Sequence, residues 1–219
     1  MTKLYSVVGS PNGRKVQAVI NHLGTKVDCE YLDFFTGDLR QPSFLAINPV
    51  GMVPVLVDGD FKLSESNAIM QYLADKAGSE ALFPRELKKR ADVVRWQCWE
   101  LAHFNRAFGT VAFEAVAKPR FNLGPTNQPL VEACKEILAR HAPVLDGHMR
   151  DRKHLLGDAV TIADYSMIHL ELFKEQIPFD WSPYAHLNSY FERMRDDPHW
   201  AATRPRSMEE IGRKPKKAA

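Results

Sequence analysis

Two stretches of this chain carry residue types that can do chemistry together. One is GSPNGRK, residues 9–15; the other is MVPVLVDGDFKLSES, residues 52–66. Ser10 followed by Pro11 is a helix N-cap with proline at the first helical position. Its hydroxyl either only caps, or also donates to an anion such as a thiolate held beside it. Val53 precedes Pro54, which has no N–H for a sheet ladder. A proline there is tolerated at a sheet edge or in a cis peptide. Either way, Val53 offers its backbone N–H and C=O to an extended, peptide-like ligand. Glu65 and Ser66 stand at a predicted helix start, where free N–H groups and a hydroxyl bind a carboxylate. The Glu65 carboxylate suits an ammonium group. The plainer alternative is a β-hairpin and two ordinary helix caps.

The surrounding pattern supplies elements to position these groups. KLYSVV (3–8) reads as a strand. A helix follows, with Val16, Val19, Ile20 and Leu23 at helical spacing and Gly24 closing it. VDCEYLD is a strand and is followed by a short helix. VPVLV is an apolar, β-branched strand, Asp58-Gly59 a tight turn, and FKL its partner. Ile69, Tyr72 and Leu73 share a face of the next helix, which Gly78 stops. Beyond it the pattern becomes helical: 90–108, 130–149 and 161–173. GDAVTIADYSM is a capping box, with Thr161 three residues before Asp164 and ahead of an apolar run. Asp164 is therefore read as structural and not as a catalytic acid. Trp96, Trp99, Phe104 and Phe108 form either helix–helix core or an apolar substrate wall. Phe113 and Phe121 lie in a proline-containing stretch expected to form a cover.

Composition narrows the function classes. The 219 residues carry a net charge of +2, too little for a dedicated nucleic-acid binder. Three widely spaced cysteines, Cys29, Cys98 and Cys134, indicate reduced thiols in a cytoplasm and form no metal motif. The eight histidines show no ligand spacing, so no metal is expected. Met1-Thr2-Lys3 leads straight into a strand, with no signal peptide and no transmembrane run.

LYSVVGSPNGRKV resembles the first segment of serine-type (phi and theta) glutathione S-transferases, and its SPNG is similar to the TPNG of the bacterial nu class. The resemblance covers about 200 residues. It implies a thioredoxin-like α/β domain (1–78), a linker (79–90), an all-helical domain (91–205) and a polar tail (206–219) expected to trail along the surface. It implies glutathione as co-substrate, with Ser10 and Asn12 at its sulfur. Arg40 falls where phi enzymes hold the glycine carboxylate, Val53 and Pro54 at the peptide backbone, and Glu65 and Ser66 at the γ-glutamyl end. Met52 replaces the family's Gln and loses a side-chain contact. Pro11, Trp99, Phe104 and Phe108 would meet a hydrophobic electrophile between the domains. Ser at position 10 argues against the cysteine-type omega, beta and dehydroascorbate-reductase classes, and the SSC signature of maleylacetoacetate isomerases is missing. The expected activity is thiolate conjugation in a cytoplasmic, detoxifying homodimer that binds neither nucleic acid nor membrane. The alternatives are a nu-like disulfide reductase, a peroxidase, or a non-catalytic binding module of the same fold.

Overall fold

The computed structural model describes residues 2–215. The chain forms two compact units. One runs up to Phe83 and resumes at Asp197; the other is Pro84–Asp196.

The first unit is α/β. Its strands are β1 (Thr2–Ser6), β2 (Asp28–Tyr31), β3 (Val55–Asp58) and β4 (Phe61–Ser64), in the order β2-β1-β3-β4. β1 and β2 are parallel, with Leu4 opposite Cys29; β1 and β3 are antiparallel, with Leu4 opposite Leu56. The parallel pair needs a crossover, supplied by α1 (Pro11–Leu23). Gly24, in the left-handed region at φ 61°, ends α1 because a residue without Cβ adopts that conformation without strain. α2 (Pro42–Leu45) precedes β3, and α3 (Ser66–Lys76) follows β4. The β3–β4 hairpin and α3 are tied at one carboxylate. Asp58 accepts from Thr2 Oγ1 at 2.9 Å, Tyr72 Oη at 2.6 Å and Lys76 Nζ. These donors, Lys76 first, hold the Asp58 carboxyl well below its usual range. Val53–Pro54 is a cis peptide. This selects the second of the two placements open to that proline, because β3 lies inside the sheet and not at its edge.

The second unit is helical. α4 (Leu87–Trp99), α5 (Asn105–Ala112) and α6 (Lys118–Phe121) form one helical run, joined by π-helical turns at Glu100–Phe104 and Phe113–Ala117. At the first wide turn the Asn105 backbone N–H reaches Glu100 O, and Asn105 Nδ2 donates to Glu100 Oε2 at 2.7 Å. Hydrophobic spacing cannot reveal such a turn, because one inserted residue shifts every later side chain around the axis. The predicted 90–108 helix therefore starts earlier and continues through Phe113 and Phe121 to a left-handed Asn122. Then come α7 (Gln128–Met149), α8 (Ile162–Met167) and α9 (Ala185–Arg195). The helix expected over 161–173 is shorter than its pattern suggested. α8 stops at Met167, and a separate 3₁₀ turn follows at Glu171–Phe173.

The capping box forms. Asp164 is fully buried and accepts from Thr161 N at 2.8 Å, Thr161 Oγ1 at 3.0 Å, Leu155 N at 2.9 Å and Tyr190 Oη at 3.1 Å. Burial still pushes its pKa up. One side chain thus satisfies donors from the α8 start, the preceding loop and α9.

The C-terminal segment, expected to trail along the surface, is held there by specific contacts. After α10 (Pro198–Ala201) the chain lies against the α/β unit. Trp200 packs its ring 4.2 Å from the Arg14 guanidinium, and Arg14 Nε donates to Thr203 Oγ1 at 2.9 Å. Further on, Ile211 is buried, and Gly212 exchanges backbone hydrogen bonds with Val8 and Phe34. Residues from 197 onward thus leave the helical unit to which the sequence pattern joined them up to 205. Polarity and proline content do not reveal this docking, because beyond Thr203 it rests on backbone groups, the Ile211 side chain and the Lys214–Asp38 ion pair. Lys216 and Lys217 lie outside the described residues.

Removing the Thr161 cap by Thr161→Ala should cost about 0.5–2 kcal/mol. Asp164→Ala strands several buried donors, each worth about 1–3 kcal/mol, and should cost at least about 3 kcal/mol. Urea unfolding midpoints of the two variants measure the difference.

Candidate functional site

Ser10 occupies the N-cap of α1, and Gly13 N donates to its Oγ at 3.2 Å. The plainer reading of Ser10 as a cap is therefore correct. It does not exhaust the hydroxyl, which has one donated proton and two acceptor lone pairs. The cap occupies a lone pair and leaves the proton free to donate. Gly13 makes this geometry possible. A Cβ there would lie 2.2 Å from Ser6 Oγ and 3.2 Å from Ser10 Cβ, so only glycine lets α1 begin this close to the end of β1.

Asn12 and Ser66 meet. Ser66 Oγ donates to Asn12 Oδ1 at 3.3 Å, joining the first turns of α1 and α3. One turn further along α1, Lys15 Nζ donates to Asn67 Oδ1 at 3.4 Å. Lys15 and Arg14 are both essentially buried, at 0% and 1% exposure. Two helix N-termini thus meet in one region, which favours an anion, with the Lys15–Asn67 contact beside them; the Arg14 guanidinium is engaged elsewhere, against Trp200 and Thr203. The sequence reading missed Lys15 and Asn67, since a basic residue at the helix start gave no sign that its amine is buried. The adjacency of RK to SPNG was the one available hint.

Glu65, just before α3, is exposed and holds φ 68°, ψ 110°. A non-glycine residue with positive φ costs on the order of 1–3 kcal/mol and persists where its surroundings impose it. Here it turns the chain from β4 into α3 and leaves the carboxylate in solvent.

At the other end, Asn48 Nδ2 donates to Met52 O at 2.8 Å, and Val50 N donates to Asn48 Oδ1 at 3.3 Å. These bonds set the backbone leading to the cis peptide. Among the described residues, the Val53 N–H and C=O take no hydrogen-bond partner. Arg40 reaches over Gly51, where a Cβ would lie 2.4 Å from Nη1, and Nη1 donates to Val50 O at 3.4 Å. Its guanidinium is thus held next to the extended segment and remains exposed. Met52 is also exposed and makes no side-chain hydrogen bond that could replace a glutamine's.

In the helical unit the expected apolar set divides. Phe104 and Phe108 have 0% exposure and pack on Trp181, with ring centroids 6.3 and 5.4 Å away. They are core, and their assignment to a substrate wall is corrected: a side chain with no free surface offers a ligand nothing. Trp99 is half-buried, stacked on Phe104 at 5.8 Å with the His141 ring 5.7 Å away. Pro11 is half-buried beside Ser10. Cys29 lies on β2 with its thiol pushed up in pKa by burial, which makes it a poor nucleophile. Among the described residues no three His, Cys, Asp or Glu side chains gather to hold a metal ion, and no helix is long and apolar enough to cross a membrane.

Known proteins share this fold. The model of the glutathione S-transferase N-terminal domain matches residues 1–75, and that of the glutathione S-transferase C-terminal domain matches 104–198. Glutathione S-transferase 3 of Zea mays is 36% identical over 165 residues, 74% of this chain and 73% of the relative. Glutathione S-transferase F10 of Arabidopsis thaliana is 30% identical, covering 74% and 75%. The crystal structure of glutathione transferase F7 from Populus trichocarpa aligns with a TM-score of 0.85 at 25% identity, over 93% of this chain and 97% of that one. A structure of glutathione S-transferase I bound with the ligand lactoylglutathione aligns with a TM-score of 0.81 at 27% identity, over 92% and 97%. The two matched domains, the fold and the level of identity to plant relatives agree, and the chain belongs to the glutathione S-transferase family.

Proposed function

We propose that this chain activates glutathione through Ser10 and conjugates it to hydrophobic electrophiles. The observation that carries the reading is the Ser10 hydroxyl, whose oxygen accepts from Gly13 N and whose proton is left to donate. A thiolate placed there receives that proton as a hydrogen bond, with Asn12 and the positive end of α1 beside it. The extended segment at Val53 offers its backbone N–H and C=O to the tripeptide backbone, in the manner of strand addition. Arg40 takes the glycine carboxylate, and Glu65 and Ser66 take the γ-glutamyl ammonium and carboxylate.

The magnitudes suffice. A free thiol has a pKa of about 8.5, and the thiolate is the nucleophile. Lowering the pKa by about two units takes about 2.7 kcal/mol. A hydrogen bond to a charged group supplies about 1.5–3 kcal/mol. The helix terminus adds about 0.3–1 kcal/mol. The thiol proton goes to solvent. The sulfur then forms a bond to the electrophilic carbon, and a leaving group such as halide departs with its electron pair. Trp99 and Pro11 remain as the proposed apolar contacts.

Disulfide reduction of the nu type is the second reading, suggested by the SPNG segment, whose Asn12 is held in place by the bond from Ser66 of α3. The redox sulfur would be glutathione's own, since Cys29 lies half-buried on β2 with its thiol pKa raised. The chain is also proposed to work in the cytoplasm as a homodimer. Val50 and Met52, each 61% exposed beside the cis peptide, are apolar surface that a second copy would cover.

Titrating thiolate absorbance of bound glutathione should give a pKa well below about 8.5. An unshifted value would mean a site that holds glutathione without activating it. Ser10→Ala should leave glutathione affinity nearly intact and lower kcat toward an aromatic halide by about 10²-fold, the loss expected for removing one donor to a developing or stabilised anion. Equal turnover in that variant would shift the role to Asn12. Assaying the same wild-type preparation with a small disulfide separates conjugation from reduction. Sedimentation equilibrium should return twice the 24.9 kDa chain mass.

A further inference from the structure

The C-terminal segment inserts into the α/β unit at one particular gap. Direct bonding between the β1 and β2 sides ends with Leu32 N donating to Ser6 O at 2.8 Å. Beyond that point one chain turns into α1 and the other into the loop that leads to Arg40. Gly212 fills the space between them. Its N–H donates to Val8 O at 2.9 Å, and its C=O accepts from Phe34 N at 2.7 Å. The fit on both sides is close. A Cβ on Gly9, next to Ser10, would stand 2.8 Å from Ile211 Cγ1. A Cβ on Gly212, at φ +85°, would stand 2.6 Å from Phe35 Cε2.

Lys214 extends the same clamp. Its N–H donates to Asp33 Oδ2 at 3.2 Å, and its Nζ pairs with Asp38 Oδ2 at 2.7 Å. Asp33 and Asp38 close the loop on themselves. Asp33 N donates to Asp38 Oδ2 at 3.0 Å, and Asp33 Oδ1 accepts from Phe35 N at 2.8 Å and Thr36 N at 3.1 Å. Asp38 begins the 3₁₀ turn that ends at Arg40. One short segment therefore touches the residue before Ser10 and the turn that carries Arg40. These are the groups assigned to the two ends of the glutathione cysteinyl-glycine portion.

We propose that residues 207–214 form a ligand-coupled strap, which holds the Ser10 turn and the Arg40 loop at the separation glutathione needs. The inference rests on the glutathione-site reading given above. The strap is a good element for such coupling. It buries one apolar side chain, Ile211, and docks otherwise by a few backbone bonds, the Lys214–Asp38 ion pair and the Arg213 guanidinium 5.0 Å from the Phe35 ring centroid. Segments of this kind open at low free energy without global unfolding. Coupling between two binding events is reciprocal, so glutathione must favour the docked strap by the factor by which the docked strap favours glutathione.

The test uses the full chain. Glutathione affinity is measured by calorimetry for the wild type, for Gly212→Val, which cannot keep its φ or clear Phe35, and for Lys214→Ala, which alters only an exposed side chain. In parallel, trypsin cleavage after Arg206 and Arg213 is timed with and without saturating glutathione, since such cleavage follows the open population. The expected result is a loss of affinity of about five- to tenfold in Gly212→Val and a smaller loss in Lys214→Ala. Glutathione should slow cleavage of the wild type by a similar factor. KM for glutathione should rise while kcat at saturation holds, which a general loss of stability would not produce. Should Gly212→Val fail to fold, Lys214→Ala and the protection assay carry the test. Unchanged affinity in both variants with a wild type that binds overturns the strap and leaves the site reading intact. Affinity losses without protection overturn the coupling. A wild type that does not bind glutathione overturns the site reading and the strap together.

Discussion

The closest approach of α1 to β1 is the constraint on which the rest of the site depends. Gly13 lies against Ser6 with no room for a Cβ, and from that position its N–H reaches the Ser10 oxygen. A larger residue would push the helix start outward and swing the hydroxyl with it. Capping and chemistry are therefore not competing explanations of Ser10. The cap orients the oxygen, and an acceptor lone pair engaged by an N–H makes the remaining O–H a fixed, slightly stronger donor. A helix cap and the proposed thiolate contact can share one hydroxyl because both need the same thing, a polar atom held at the mouth of aligned N–H groups.

The second helix is brought to the same place by polar contacts. Asn12 with Ser66 and Lys15 with Asn67 tie α1 to α3 at their N-terminal ends, so two sets of free N–H groups converge. The backbone at Glu65 takes a left-handed conformation to enter α3 there. That local cost of on the order of 1–3 kcal/mol is met within a unit whose Asp58 network ties the β3–β4 hairpin to α3. The helical unit follows a different logic. Its aromatic residues are mostly core, and its polar organisation centres on Asp164 and on the π-helical turn at Glu100.

Much of the first unit was legible from residue order because its signals are local. A β-branched run, an Asp-Gly turn, Ser-Pro before a helix and Gly after one each follow from backbone sterics within a few residues. The Thr161–Asp164 capping box is equally local, and it formed as its spacing implied. The family resemblance rested on the same short segments. Features that depend on residue counting over long distances were not legible. The two π-helical turns shift the register of the helical run, and the 161–173 pattern contains a break that no proline or glycine marks.

By itself, the sequence determined the element order, the two classes of unit, the family and the residues that could contact a thiol, since each rests on short-range sterics or on residue identity. The tertiary structure alone decided which aromatic residues have any free surface, that Lys15 and Arg14 are buried, and that the polar C-terminal segment docks beside Ser10. The physical reason is common to all three. Burial and backbone pairing between residues far apart in the chain are properties of packed surfaces, and a Phe, a Lys or a Gly carries no local mark of which surface will face it.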